Sequence, residues 1–270
     1  MTTTAMRPAG PQPRAAITEK TLRTDRWWLA PLSIAAILVF FILYASVRIF
    51  MAKWYWVNGY HYLTPLYSPC LSKSCLPGSS HFGTPLPALP FFLPLGIVAF
   101  PVVAGFRVTC YYYRKSGYRS LWGSPQACAV NEPHKKYTGE SRFPLVGMNY
   151  HRYFFYLAGV VLLINAYDAV QAFRGPNGHF GFGLGTLIIW ANVAMLAGYT
   201  LSCHACRHVV GGRLRHFSRH PLRYRFWTFV SKLNVRHGTF AMTSLFTVIL
   251  TDAYIMAVSA GWITDFRFFN

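Results

Sequence analysis

The sequence predicts an all-α integral membrane protein, a bundle of five transmembrane helices with a cytoplasmic N-terminus and a C-terminus outside. Three observations lead to this fold class. Of 270 residues, 53% are hydrophobic and only 12% are charged, whereas soluble domains carry about 25% charged residues. The apolar residues form runs of about 20, the length that crosses a bilayer as a helix. The basic residues collect between alternate runs, which indicates a fixed orientation in the membrane.

Five apolar runs are long enough to span the membrane. The second contains three prolines, which we expect to kink its outer end. The segment before the first run is polar, and that run is too long for a cleavable signal peptide. The predicted spans cover residues 28–50, 89–112, 150–173, 182–206 and 238–262.

Charge predicts the orientation and the domain organisation. The net charge of +19 arises from 26 Lys and Arg against 7 Asp and Glu. Most basic residues fall in segments 1–26, 111–147 and 207–237, which the spans place on one side, and the basic side is normally cytoplasmic. Topology thus explains the charge, and we expect no nucleic-acid partner. We predict a flexible basic tail (1–26), a five-helix transmembrane domain (27–264) and a short outer tail (265–270), with no internal repeat. The chain is therefore expected to be a multi-pass cell-membrane protein.

The six cysteines divide between the two sides of the membrane. Cys70 and Cys75 fall in the outer loop, where they can form a small disulfide or remain as two free thiols. Cys110, Cys128, Cys203 and Cys206 all fall on the cytoplasmic side. Because cytosolic cysteines are rarely in disulfides, a clustered set indicates metal binding or catalysis.

The histidines predict where a metal group can and cannot lie. None falls in the middle of a span, so the sequence offers no histidine pair for a haem near the midplane. On one regular helix, Cys203 and Cys206 would face one way and His204 and His208 another. Partners must therefore come from neighbouring helix ends, where Cys110, Cys128 and His151 are available. The predicted metal ligands are Cys110, Cys128, Cys203, Cys206, His151, His204 and His208.

Mixed Cys and His ligation narrows the choice of metal. Four-coordinate sites of this kind suit zinc. They also suit a Rieske-type [2Fe–2S] cluster, in which two His replace two Cys on one iron. The usual Rieske spacing and its β domain are not present, because only Cys206-Arg-His208 fits the first half of the pattern.

Four segments together resemble the membrane-anchor subunit of actinobacterial succinate dehydrogenase. They are TCYYYRK (109–115), PQACAVNEPHKKYTGE (125–140), NYHRYFFYLAG (149–159) and LSCHACRH (201–208). The resemblance implies a subunit of succinate:quinone oxidoreductase (respiratory complex II) that binds a flavoprotein subunit, an iron–sulfur subunit and a membrane quinone. Many members of the wider family carry haem b on transmembrane histidines, which this chain lacks.

These expectations combine into one hypothesis with two alternatives. We expect electrons from the iron–sulfur subunit to pass through a Cys/His-ligated [2Fe–2S] cluster to the quinone. The alternatives are a haem b-carrying anchor of the same complex and a zinc-binding transport or sensor protein. For the quinone we predict contacts from Arg152, Tyr113 and Trp122. The basic inner loops are expected to hold the soluble partner and to contact anionic lipids.

Two carboxylates lie within predicted spans, far from the cytoplasmic cysteines. Asp168 belongs to the third span and Asp252 to the fifth. Ionisable residues in a span are functional candidates. We expect them either to pair with a polar neighbour or to form part of a proton path from outside.

Overall fold

The computed structural model describes residues 25–123, 130, 140–143 and 145–270. Nearly all of the predicted basic tail 1–26 and the candidate ligand Cys128 therefore lie outside the described residues. The described part is mainly helical. Its helices are α1 (Leu29–Met51), α2 (Phe100–Thr109), α3 (Tyr111–Gly117), α4 (His151–Gln171), α5 (Leu184–Leu201), α6 (His204–Gly211), α7 (Pro221–Asn234) and α8 (His237–Ser259).

Four helices in the described residues are long and apolar enough to cross a membrane. They are α1, α4 with the turn before it, α5 and α8. The second predicted span, 89–112, differs from expectation, because its helical part is a short turn at Leu95–Ile97 followed by α2 of ten residues. Proline has no amide donor and breaks a helix interior, and prolines stand at 85, 87, 90, 94 and 101. A count of five full-length spanning helices is therefore not confirmed.

The bundle has two ends, named here by their cysteines. At the cysteine end, α2 and α5 finish beside the first residues of α4 and α8. At the disulfide end lie residues 52–94, where Cys70 and Cys75 form a disulfide. Two small antiparallel pairs also occur there, β1 (Trp56–Val57) with β2 (Tyr62–Leu63), and β3 (Phe182–Gly183) with β4 (Arg267–Phe269). The second pair anchors the predicted outer tail 265–270.

Buried carboxylates join the elements at the disulfide end. Asp252 of α8 accepts from Arg48 Nε of α1 at 2.6 Å and from the Tyr44 hydroxyl at 2.6 Å. Asp168, near the end of α4, lies 2.6 Å from His81 Nδ1 and also accepts from the Ser68 hydroxyl. Both carboxylates thus pair with polar neighbours, the first of the two roles expected for them.

Candidate metal centre

The cysteine end contains two helix breaks of the same shape, each at a cysteine. Cys110 separates α2 from α3 with φ −63° and ψ 134°, and Cys203 separates α5 from α6 with φ −63° and ψ 143°. Extended backbone at these positions ends one helix and lets the next begin in a new direction. The predicted span 182–206 therefore stops at Leu201. Cys203 is instead the N-cap of the separate helix α6, which carries His204, Cys206 and His208.

The sequences at the two breaks match. Residues 105–110 read GFRVTC and residues 198–203 read GYTLSC. Each is followed later by a histidine that begins a long helix, His151 in α4 and His237 in α8, with a phenylalanine three residues on. This is an internal repeat of the form G-[FY]-x-[VL]-[TS]-C … H-x-x-F. Contrary to the sequence-based expectation, the chain therefore contains a repeated unit.

The histidines and cysteines of the two repeat units pair crosswise. His151 Nε2 lies 3.1 Å from the Cys203 sulfur, and His237 Nε2 lies 3.4 Å from the Cys110 sulfur. Each histidine thus faces the cysteine of the other unit. Exchanging the two units leaves this pattern of contacts unchanged.

The hydroxyl residue before each cysteine sets the histidine tautomer. Thr109 Oγ1 donates to the Gly105 carbonyl at 2.6 Å and lies 2.9 Å from His151 Nδ1. Since its only proton is used, the hydroxyl accepts from Nδ1–H. Ser202 Oγ likewise donates to the Tyr199 carbonyl at 3.1 Å and lies 2.7 Å from His237 Nδ1. In both histidines the lone pair is therefore on Nε2, the nitrogen that faces the thiol.

An aromatic ring stacks on the face of each imidazole and holds it in place. The His151 ring stacks on Phe106 at 4.9 Å and 7°, and the His237 ring stacks on Tyr199 at 5.1 Å and 11°. The residues that precede Phe106 and Tyr199 are both glycine, and the packing requires it. A Cβ on Gly105 would lie 2.3 Å from the Phe154 ring, and one on Gly198 would lie 2.6 Å from the Phe240 ring. Each repeat unit thus packs its own helix start against its own break.

A cavity of about 350 Å³ opens beside these pairs. Its lining residues carry imidazole, thiol, hydroxyl and guanidinium groups, and they come from both repeat units. They are Thr109, Tyr111, Arg114, His151, Cys203, His204 and His237.

Burial keeps the thiols of this region protonated. Burial raises the pKa of Cys203 to about 12, although the Ala205 amide opposes the shift. Burial also raises the pKa of Cys110, against the lowering effect of the Tyr199 hydroxyl and the Arg107 guanidinium, and it raises the pKa of Cys206. Because metals bind the thiolate, binding here would release protons and would have to offset the cost of buried negative charge.

The predicted ligands occupy different positions around the cavity. Cys110, Cys203 and His151 lie together, and His204 borders the cavity with its ring 6.3 Å from that of His237. Cys110 and Cys206 are both buried but do not line the cavity, and His208 hydrogen-bonds Arg152 at the surface. Within the described residues, no three His, Cys, Asp or Glu side chains converge as ligands of a single ion.

His237 is the residue that the sequence-based ligand set missed. It is buried, with 1% of its surface exposed, and it completes the crossed pairs. The signal that could have identified it is the repeat. His237 follows YTLSC in the second repeat unit, as His151 follows FRVTC in the first.

The three predicted quinone contacts lie apart from this cavity. Tyr113 is buried, and its hydroxyl donates to the Ala241 carbonyl at 2.6 Å and accepts from Arg107 Nη1 at 3.2 Å. Arg152 is exposed in the first turn of α4, and Trp122 is half-exposed in a π-helical turn at Tyr118–Trp122. None of the three is among the residues that line the cavity.

Comparison with known proteins agrees with this arrangement of helices. The family model described as actinobacterial succinate dehydrogenase subunit SdhC matches residues 29–261. A chain of the solved Mycobacterium smegmatis Sdh1 complex in the apo form is 58% identical, with a TM-score of 0.89, over 96% of this chain and 98% of that one. No curated protein matches. The chain therefore belongs to the family of actinobacterial succinate dehydrogenase SdhC subunits, which makes it a multi-pass membrane subunit of that enzyme complex.

Proposed function

We propose that this subunit carries electrons from the soluble iron–sulfur subunit to a membrane quinone through a Rieske-type [2Fe–2S] cluster held by Cys110, Cys203, His151 and His237. The observation that carries the proposal is the crossed pairing of these four side chains, with Nε2-to-sulfur distances of 3.1 and 3.4 Å, beside a cavity of about 350 Å³.

The donor set fits such a cluster better than it fits a single ion. In a Rieske centre, one iron takes two cysteines and the other takes two histidines. The two cysteines come from different repeat units, and so do the two histidines. Each iron would therefore receive one ligand from each unit. A mononuclear zinc site needs three or four ligands around one point, and the described residues do not provide that arrangement.

The surrounding residues have roles that such a group requires. When bound, the cluster would accept and release one electron at a time. Thr109 and Ser202 hold the histidines in the tautomer that leaves Nε2 free, which is the usual task of groups behind metal ligands. The Ala205 amide donates to the Cys203 sulfur at 3.3 Å, a contact of the kind that tunes cluster potentials. The Phe106 and Tyr199 rings cover the histidines on the bundle side.

In this proposal, the other candidate ligands do not bind the cluster. None of His204, Cys206 and His208 belongs to the two crossed pairs, although His204 borders the cavity. We expect the cluster to survive removal of any one of these three side chains. Cys128, also a candidate from the sequence, lies outside the described residues.

For the quinone, we propose direct contacts from Arg152 and Trp122 and a supporting role for Tyr113. Arg152 follows the ligand His151 directly and is exposed, so its guanidinium can donate to a quinone oxygen near the cluster. Trp122 offers an exposed ring at the same end of the bundle, and the Tyr113 hydroxyl is bonded within the protein. Arg152→Gln is expected to raise the KM for quinone without loss of cluster iron, and an unchanged KM would contradict this contact.

We also propose that the cysteine end faces the cytoplasm. The described parts of the basic segments 111–147 and 207–237 adjoin this end, which agrees with the positive-inside rule. The Cys70–Cys75 disulfide lies at the other end, which suits an oxidising exterior. Single cysteines introduced at Ser218 and Ser80 test this. A membrane-impermeant thiol reagent on intact cells should label only the Ser80→Cys variant, and the reverse labelling would overturn the orientation.

The experiment that tests the cluster compares intact complexes. Cys110→Ser and Cys203→Ser should each remove two irons and two labile sulfides per complex, while Cys206→Ser serves as the matched control and should remove none. Comparing variants isolates this cluster from the centres of the iron–sulfur subunit. Equal iron and sulfide in all of these complexes would refute the proposal. A Soret band would indicate haem b instead, and stoichiometric zinc with no change in sulfide would indicate the zinc-binding alternative.

A further inference from the structure

Arg107 is a fully buried cation in the bundle, one turn from Cys110. None of its surface is exposed. Its Nη1 donates to the Ala241 carbonyl at 2.9 Å and to the Tyr113 hydroxyl at 3.2 Å, and its Nη2 donates to Ser244 Oγ at 3.2 Å. All of these acceptors are neutral groups.

The charge of Arg107 is stabilised by aromatic faces. The guanidinium carbon lies 5.3 Å from the Phe41 ring centre and 5.0 Å from that of Tyr199. Among the salt bridges of the described residues, none involves Arg107. Burying an ion without a counter-ion is costly, and ionisable groups at membrane depth usually serve function.

Arg107 is linked to two of the four proposed ligands. Its carbonyl accepts from the Cys110 amide at 3.1 Å. The Tyr199 ring contacts the guanidinium and also stacks on His237 at 5.1 Å. The corresponding position of the second repeat unit is Thr200, so only one unit carries this charge.

We propose that the fixed positive charge of Arg107 raises the reduction potential of the redox group held by Cys110, Cys203, His151 and His237. The inference rests on the proposed function and assigns a cause for the potential of that same site. Reduction adds one negative charge at the site. A buried cation stabilises the reduced form more than the oxidised form, because Coulomb interactions are weakly screened in the protein interior. The effect makes the site a better acceptor of electrons from the soluble partner.

The expected size follows from Coulomb's law. At an effective dielectric constant of about 20, a unit charge within about 10 Å changes an equilibrium constant by on the order of tenfold. For a one-electron couple, tenfold corresponds to about 59 mV.

The test is a redox titration of the intact complex, followed by the electron paramagnetic resonance of its His-ligated cluster. Arg107→Gln should lower the midpoint potential by about 59 mV, equivalent to a tenfold change. Arg107→Lys retains the charge and should stay close to wild type. Should neither variant assemble, Ser244→Asp neutralises the guanidinium in place and should also lower the potential. Ser244→Asn is its matched neutral control and should leave the potential unchanged.

The outcomes separate this inference from the proposed function. A wild-type complex without such a cluster signal refutes the proposed function and this inference with it. A normal signal whose midpoint is the same in wild type, Arg107→Gln and Ser244→Asp overturns only the inference. An unchanged midpoint with a raised KM for quinone also overturns it, because Arg107 would then act on a ligand in the apolar cavity that it lines.

Discussion

At the scale of single residues, the hydroxyl groups of Thr109 and Ser202 decide which histidine nitrogen is available. Each hydroxyl donates its proton to a carbonyl of its own helix and so can only accept from the imidazole Nδ1–H. The two residues were not singled out in the sequence, because a Thr or Ser beside a cysteine has no distinctive pattern by itself.

Removing the Thr109 hydroxyl should weaken metal retention. Thr109→Val keeps the shape but removes the hydroxyl oxygen beside His151 Nδ1, so the ring is held less firmly in one tautomer. Loss of a group behind a metal ligand typically lowers metal affinity about 10–100-fold. We expect the variant complex to lose cluster iron and sulfide faster than wild type during incubation with a chelator. Thr109→Ser keeps the hydroxyl and is the control, and equal loss rates for Val and Ser would contradict the assigned role.

A methyl group on Gly105 should also displace His151, because it would press on Phe154 of the same helix. Its Cβ would lie 2.3 Å from the Phe154 ring, and Phe154 is three residues after His151 on α4. Overpacking of this kind costs about 1–3 kcal/mol. Gly105→Ala should therefore lower the unfolding temperature of the complex and its cluster content.

Gly159 provides the comparison for that substitution. It lies on α4, whereas Gly105 lies on α2, and a Cβ on Gly159 would meet no atom within 4 Å. Gly159→Ala should leave both unfolding temperature and cluster content near wild type. If the two alanine variants behave alike, close packing of Gly105 against Phe154 does not position His151.

At the scale of elements, a buried ion pair joins the first and last long helices. Arg48 of α1 and Asp252 of α8 lie 2.6 Å apart with 3% and 0% of their side chains exposed. Asp252→Asn leaves Arg48 buried without its counter-charge, which costs about 3–5 kcal/mol. We expect a lower unfolding temperature in calorimetry of the purified complex. Arg48→Met combined with Asp252→Leu should recover most of the loss, and a double variant as unstable as the single one would argue against uncompensated charge as the cause.

Hydrophobicity predicted the long helices well and their interruptions poorly. α1, α4 and α8 each begin within one residue of the predicted spans. The run at 89–112 has the composition of a span, but its prolines remove the amides that a continuous helix needs. The break at Cys203 has no proline or glycine to mark it, so only the tertiary structure reveals that α5 ends at Leu201.

At the scale of the whole molecule, the site is made by two repeat units that complete each other. Sorting residues by membrane side placed Cys110, Cys203 and His151 among seven candidate ligands, and the structure brings these three together. The pairing was not predictable, because it joins residues far apart in the chain, His151 with Cys203 and His237 with Cys110. Nothing in the local sequence of His237 marks it as a ligand, and its match to His151 is recognised only when both helix breaks are compared.

Membership in the SdhC family places this arrangement in a complex with the other subunits of succinate dehydrogenase. For the proposed electron transfer, the described residues of the cysteine end supply buried cysteine and histidine side chains. The crossed histidines are its most specific feature, since iron–sulfur clusters ligated only by cysteine contain no metal-bound nitrogen.

Pulsed electron paramagnetic resonance of the dithionite-reduced complex, prepared with ¹⁵N-labelled histidine, tests the central claim most directly. The account predicts one cluster coupled to two histidine nitrogens, and loss of that cluster signal in both His151→Ala and His237→Ala but not in His220→Ala. A complex in which no iron–sulfur centre shows coupling to histidine nitrogen would contradict it.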